Sequence, residues 1–231
     1  MTDYRVENKY LVSDADITVL RHRLAPIMAQ DKNQTGGSYE IRSVYFDDLL
    51  DSCMQENDSG VDDRRKYRVR SYGPEFSLLR LEIKEKLFGF TRKRSCPLSA
   101  EELSQLFEDA QGFPFGERPA LNELLLKARC DLMQPKVLIK YERSAYVYPS
   151  GNVRITFDRN ISASRNWQAF HSDCVSGSVP VLPRGMHIME VKYDEFLPEH
   201  IARQLETGKL QKTTFSKYYL GRLAVNNEFA F

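Results

Sequence analysis

The sequence predicts an α+β fold, a largely antiparallel sheet carrying flanking helices, and three observations lead there. Eight stretches alternate apolar and polar residues with period two, at 5–11, 39–47, 65–72, 77–86, 90–96, 137–146, 153–158 and 187–193, and each reads as a strand. Between some of them, apolar residues recur at helical spacing behind capping signals. Finally, Tyr72-Gly73-Pro74, Phe88-Gly89 and Pro149-Ser150-Gly151-Asn152 are turn-forming groups that join neighbouring stretches as hairpins, which makes the sheet antiparallel.

Taken along the chain, Ser13-Asp14-Ala15-Asp16 opens a helix over 14–30, whose apolar positions are Ile17, Leu20, Leu24, Ile27 and Met28. Ser99 with Glu102 forms a capping box ahead of Leu103, Leu106 and Phe107. Pro119 opens a further helix carrying Leu121, Leu124, Leu125, Ala128 and Leu132. A short helix follows Pro198, and a last one runs from about 214 to 223. Segments 50–63 and 162–185 read as loops, neither long nor biased enough to be an interdomain linker, so a single domain is expected over 1–231. With 231 residues, 42% hydrophobic and 28% charged, the composition is that of an ordinary globular chain and excludes disorder, collagen and a membrane bundle. No apolar run approaches the ~20 residues of a spanning helix. Cys53, Cys96, Cys130 and Cys174 are scattered without a CxxC pair or a signal peptide ahead of them, which points to a reduced, cytoplasmic setting.

Net charge is only +1, from 33 Lys and Arg against 32 Asp and Glu, so no global field draws nucleic acid or an anionic membrane. The placement of the charges is more informative. Residues i, i+2 and i+4 share one face of a strand, and here that face is repeatedly cationic: Arg5, Glu7 and Lys9; Lys66, Arg68 and Arg70; Arg80, Glu82, Lys84 and Lys86; Arg154, Thr156 and Asp158; Glu190 and Lys192. In the 90–96 strand, alternation favours Arg92 and Arg94, while a one-residue slip would bring Lys93 to that side. A solvated outer face would explain any one of these strands. Repetition over six favours a sheet closed into a barrel, its lumen lined by Arg and Lys, because like charges opposed across strands need an anionic partner. Arginine forks and lysine point charges suit a triphosphate or phosphate chain. Glu7, Glu82 and Glu190 balance these cations or hold Mg2+ or Mn2+ together with phosphate oxygens.

The motifs Arg5-x-Glu7-x-Lys9-Tyr10, Arg42-Ser43-Val44-Tyr45-Phe46-Asp47, Lys66-x-Arg68-x-Arg70, Glu82-x-Lys84, Tyr141-x-Arg143, Arg154-x-Thr156-x-Asp158, Glu190-x-Lys192 and Ser216-Lys217 follow in an order that resembles the VTC domain. This is the polyphosphate polymerase domain of the CYTH, or triphosphate tunnel metalloenzyme, superfamily, and the likeness is to its free-standing bacterial form. The resemblance implies an antiparallel tunnel barrel that transfers the ATP γ-phosphate to a growing polyphosphate with Mn2+ or Mg2+. It implies a catalytic set of Arg68, Arg70, Lys84 and Glu190, with Lys9, Arg42, Lys66, Arg92, Arg94, Arg143, Arg154, Lys192, Lys212, Ser216 and Lys217 around phosphate or ATP. Glu190, Glu82 and Glu7 are the implied metal carboxylates. Arg5 stands where the wider superfamily has the first glutamate of its ExExK signature, which sets the chain nearer the VTC branch than the hydrolytic one.

Three functions follow as expectations: polyphosphate synthesis from ATP, hydrolysis of tripolyphosphate or a nucleoside triphosphate, and polyphosphate binding without turnover. Expected partners are ATP and inorganic polyphosphate or triphosphate, with neither nucleic acid nor a membrane span. Trp167, Phe170 and His171 either stack on adenine or pack on the barrel rim. His187 and His200 are isolated and suggest no metal site.

Overall fold

A computed structural model of the chain describes residues 5–32, 34, 36–73, 78–88, 90–172, 174–208 and 210–226; the turn expectations at Pro74 and Gly89 lie outside them, as does Ser77. Among the described residues the strands are β1 (Val6–Ser13), β2 (Ala29–Gln30), β3 (Tyr39–Asp47), β4 (Arg64–Tyr72), β5 (Leu78–Leu87), β6 (Phe90–Leu98), β7 (Gln134–Tyr148), β8 (Val153–Ser164), β9 (Val179–Pro180), β10 (Met186–Tyr193) and β11 (Gln211–Lys212). The helices are α1 (Asp14–Leu24), α2 (Ser52–Asp58), α3 (Ala100–Asp109), α4 (Pro119–Cys130), α5 (Glu199–Leu205) and α6 (Lys217–Val225).

All the strands join one antiparallel sheet in the order β11-β1-β10-β8-β7-β3-β4-β5-β6, with β2 added to β7 and β9 to β8. The barrel expected from the sequence is not closed: no pairing joins β6 to β1 or β11 among the described residues. The sheet curls instead, and the strands next to its two edges approach through side chains, with Lys84 Nζ of β5 3.3 Å from Glu7 Oε2 of β1.

Two outer cores hold this curl. Val44, Phe46, Tyr67, Val69, Leu81 and Ile83 meet Leu103 and Leu106 of α3 and Leu121, Leu124 and Leu125 of α4. On the other half, Val12, Met189, Val191, Ile155 and Phe157 are covered by Ile17, Leu20 and Leu24 of α1 and by Ile201 of α5. The capping box predicted at Ser99 with Glu102 is present, and the helix start predicted at Ser13 is a capping box too, closed by Asp16. The first helix is shorter than the 14–30 expected and ends at Leu24. Pro26 supplies the reason: Ala25 still has helical geometry and donates to the Arg21 carbonyl, but Pro26 has no amide to continue the ladder; the chain then turns into β2. The stretch read as a loop at 50–63 contains α2, and 162–185 contains a short 3-10 helix, Trp167–His171, and β9.

Helix α6 lies on the lumen side of the sheet and fills one end of it. Tyr218 stacks on Tyr45 with ring centroids 5.3 Å apart, and Gly221 approaches so closely that a Cβ there would sit 2.2 Å from Ile139 Cδ1. Both of its ends are tied down: the Asp47 carboxylate accepts from the Cys53 and Met54 amides of α2 and from the Tyr218 hydroxyl near the N-terminus, while Arg222 in the last turn pairs bidentately with Asp51. Among the described residues no helix is long and apolar enough to cross a membrane.

The β7–β8 hairpin turns at Gly151, whose φ of 72° is left-handed and where a Cβ would lie 2.5 Å from the Phe196 carbonyl oxygen. Gly151→Ala is therefore expected to destabilise the protein by at least about 2 kcal/mol. Gly60→Ala, at a similar φ of 68° but in open space, should cost about half as much. Thermal unfolding followed by circular dichroism checks the difference, at roughly 2–4 °C per kcal/mol for a chain this long.

Candidate functional site

Strand alternation places Glu7, Lys9, Glu190, Lys192, Arg154, Arg143, Lys66, Arg68, Arg70, Glu82 and Lys84 on one face, and register aligns them across the sheet: Lys9 opposite Glu190, Glu7 opposite Lys192, Arg68 opposite Glu82, Arg143 opposite Asp158. Curling turns this face inward around a wide cavity of about 1430 Å3, continuous with a narrow one of about 110 Å3 beneath α6. Glu7, Arg68, Arg70, Lys84, Arg143 and Lys192 line both. The wide part exceeds the roughly 300–1,000 Å3 of an ordinary small-molecule pocket.

Within the lumen, carboxylates hold the cations apart. Glu82, 1% exposed, accepts from Arg68 Nε at 2.8 Å and Nη2 at 2.5 Å and from Lys93 Nζ at 2.6 Å. Arg70 reaches the Ser43 and Tyr141 hydroxyls, and Arg68 the Tyr45 hydroxyl. Asp158, fully buried, takes a bidentate pair from Arg143 at 2.6 and 2.7 Å and Lys217 at 2.5 Å. Glu190 receives Lys217 at 3.2 Å, Lys192 at 3.0 Å and Arg143 at 3.7 Å. Burial works to protonate these carboxyls, but the surrounding Lys and Arg outweigh it and hold Glu82, Asp158 and Glu190 below the usual carboxylate range. Glu7 is held more loosely, 3.3 to 3.6 Å from Lys84, Lys9 and Lys192. Arg154 projects into the wide cavity and pairs with Asp31 at 2.6 Å. Lys9 donates to the Phe215 carbonyl and Lys66 to Ser216 Oγ, the cap of α6.

Four expected phosphate contacts fall outside the lumen. Arg42 shares its side of β3 with Val44 and Phe46, and its guanidinium binds the Phe170 and Ser172 carbonyls and Glu40, pinning the 3-10 helix. Arg92 and Arg94 also face outward: Cys96 and Leu98, of the same parity, are buried in the outer core, and Arg94 pairs with Glu123 of α4 at 2.5 Å. Lys93 takes the inward place, opposite Lys84. Lys212 pairs with Tyr10, whose parity points away from the lumen, and is exposed. Trp167 and Phe170 pack on Phe107 of α3, outside the cavity, which leaves the rim-packing reading. His187 is engaged with Asp14. Asp31, the partner of Arg154, and Asn57, which accepts from Lys66, carry no signal in the sequence, since both lie outside its periodic segments.

No three of the described His, Cys, Asp and Glu side chains gather as a metal cluster. Glu82 is the least suited of the three to a metal, because Arg68 and Lys93 hold its two oxygens at 2.5–2.8 Å. Glu7 and Glu190 also face cations on both oxygens, but at 3.0 Å or more, and they suit one better: both line the narrow cavity and share Lys192, and two carboxylates suit a hard divalent ion that takes its other oxygens from phosphate and water. Thr156 Oγ1, level with Glu190 and 1% exposed, has no hydrogen-bond partner among the described residues and leaves a further oxygen there.

Burial alone would raise the Glu7 carboxyl, but Lys84, Lys192 and Lys9 hold it down at about 2, against 4.5 ordinarily. Its contribution to stability is then full above about pH 4.5 and lost as pH falls toward 2. Glu7→Gln should lose about 1 kcal/mol at neutral pH and show a shallower decline between those two limits, as read by urea unfolding across pH.

In comparison with known proteins, the fold matches a Bacillus halodurans protein described as a candidate adenylate cyclase, at 16% identity and a TM-score of 0.53, covering 89% of this chain and 88% of that one. It also matches the PH1819 protein of Pyrococcus horikoshii OT3, at 14% identity and a TM-score of 0.50, covering 97% and 99%. No curated protein matches the sequence at a significant level. The family model described as VTC domain matches residues 4–226, almost the whole chain, and the protein belongs to the VTC domain family.

Proposed function

We propose that the protein is a phosphotransferase that moves the γ-phosphate of ATP onto a polyphosphate chain within its cationic lumen. The observation that carries this reading is the convergence of Arg68, Arg70, Lys84, Arg143 and Lys192 on the lining shared by the two cavities, the arginines oriented by carboxylates and hydroxyls of the wall and the two lysines more loosely paired. Membership of the VTC family and the name of the Bacillus halodurans structural match, a nucleotide enzyme, support a triphosphate-type substrate.

Phosphoryl transfer asks a protein for positioning and charge stabilisation more than for covalent chemistry. Here Arg68 and Arg70 offer forks whose orientation Glu82, Tyr45 and Tyr141 fix before any ligand enters. Such preorganised donors act where water is sparse and field strength is high. Lys84 and Lys192, tethered only to loosely held Glu7 and to Glu190, have the reach to follow charge as it moves between the attacking and leaving oxygens. A divalent cation held by Glu190 and Glu7 would supply neutralisation of the phosphate oxygens. Arg154 and Lys93, at the wide end, would guide the rest of the chain.

A second reading, hydrolysis of tripolyphosphate or a nucleoside triphosphate, has one specific observation in its favour. The narrow end is crowded by α6 and by the bonds from Lys9 to Phe215 and from Lys66 to Ser216, a narrowing that suits a short substrate better than the exit of a growing chain. Incubation with ATP and Mn2+, with ADP, free phosphate and long-chain polyphosphate resolved, separates the two. Chain product is expected, with Arg68→Ala and Glu190→Ala each lowering the rate by roughly 10²–10³. Free phosphate without chain would replace transfer by hydrolysis, and tight binding without any product would leave a binding module.

A further inference from the structure

Lys66 differs from the other lysines of the lumen. Lys9, Lys84 and Lys192 lie within ion-pair distance of Glu7, Lys93 of Glu82, and Lys217 of Asp158 and Glu190. Among the described residues, no carboxylate lies that close to Lys66. Its amine donates to two neutral acceptors, Asn57 Oδ1 of α2 and Ser216 Oγ at 2.9 Å. Around it stand cations: Lys9 from β1, Lys84 from β5, Arg64 and Arg68 on its own strand, and Lys217 beside Ser216 on α6, with the Tyr45 hydroxyl of β3 bonded to Arg68. A neutral amine has two N–H groups and both are used here, whereas an ammonium would carry a third with no counter-ion nearby.

We propose that Lys66 rests as a neutral amine in the empty lumen and takes a proton from solvent when a phosphate oxyanion enters, so that binding of a phosphate chain is coupled to proton uptake at this residue. The step balances simply: the amine lone pair accepts a proton from water or buffer, and the third N–H so formed donates to the phosphate oxygen. Burial, then repulsion from Lys9, Lys84, Arg64 and Arg68, pushes the Lys66 ammonium down to about 7, and a bound polyanion reverses the balance by placing negative charge among the same cations. An empty site with one charge fewer is also cheaper to hold folded. Binding is then favoured as pH falls, because a group whose affinity for protons rises on binding links the two equilibria.

This inference rests on the lumen being the phosphate site, and titration calorimetry with tripolyphosphate distinguishes the failure of either. Metal-free full-length protein is titrated at pH 8 in buffers of different ionisation heat, beside Lys66→Arg, which is charged at every pH used. Wild type should take up between about half a proton and one proton more than Lys66→Arg, the excess vanishing near pH 5.5. Its affinity should fall relative to the variant by up to about tenfold per pH unit above 7. Equal proton counts overturn the coupling and leave the lumen reading intact; absence of tripolyphosphate binding by wild type overturns both. Should the longer arginine prevent folding, Lys66→Met removes the titrating group instead. In wild type itself, one lysine NMR resonance should titrate near 7 and move upward with tripolyphosphate, and a spectrum without it refutes the proposal.

Discussion

Confinement of like charge is the constraint on which the rest of this structure depends. Period-two alternation sends every second residue of β1, β4, β5, β8 and β10 to one face, and that face gathers Lys9, Lys66, Arg68, Arg70, Lys84, Arg154 and Lys192. Once the sheet curls, they point at one another across a gap instead of into water, and repulsion opposes the curl. Asp158, Glu82 and Glu190 counter it from within, each between two or three cations. Desolvating so many charges brings little net stability. The energy that curls the sheet comes from outside, where α1, α3, α4 and α5 bury the apolar face.

The division of labour between two faces was legible in the sequence wherever one face was apolar. Leu79, Leu81 and Ile83 fix the parity of β5 without ambiguity, so Glu82 and Lys84 point inward. Legibility failed where neither parity was apolar over the decisive stretch. In β6, Thr91, Arg92, Lys93 and Arg94 are all polar, and only Cys96 and Leu98, at the strand's end, reveal that even positions face the core. In β3 both faces are buried, so Arg42 could be assigned to either; it shares the parity of Val44 and Phe46 and binds carbonyls beneath the 3-10 helix. The open edge between β6 and β1 was equally invisible, because closure depends on strand pairing across the whole chain, which no local pattern encodes. Helix α2 escaped notice for a different reason: at seven residues it offers too few turns for a periodic signal, yet through Asp47 and Asn57 it anchors α6 and Lys66.

The internal carboxylates are not equivalent, and their differences determine what the lumen does when an anion arrives. Asp158 meets Arg143 bidentately and is fully buried, so it is a fixed part of the wall. Glu82 is fixed in the same sense by Arg68 and Lys93. These pairs hold the arginine forks in place before any ligand enters, and a phosphate oxygen meets donors that need no reorganisation. Glu7 belongs to another class: among the described residues its ion-pair partners are lysines alone, at 3.3 Å or more, and it lines both cavities.

On the proposed reading, an entering phosphate chain would compete with Glu7 more readily than with Asp158 or Glu82. Displacing a carboxylate from three lysines would exchange one set of charge-assisted bonds for another, at small net cost, and would leave Glu7 able to hold a divalent cation alongside Glu190. The fixed carboxylates supply geometry and the loose one supplies exchange. A lumen in which every cation were as firmly paired as Arg143 would be stable and closed to ligand, and one with no carboxylates would not fold around its own charge. The mixture seen here keeps the cations together in the empty protein while leaving lysines able to change partner.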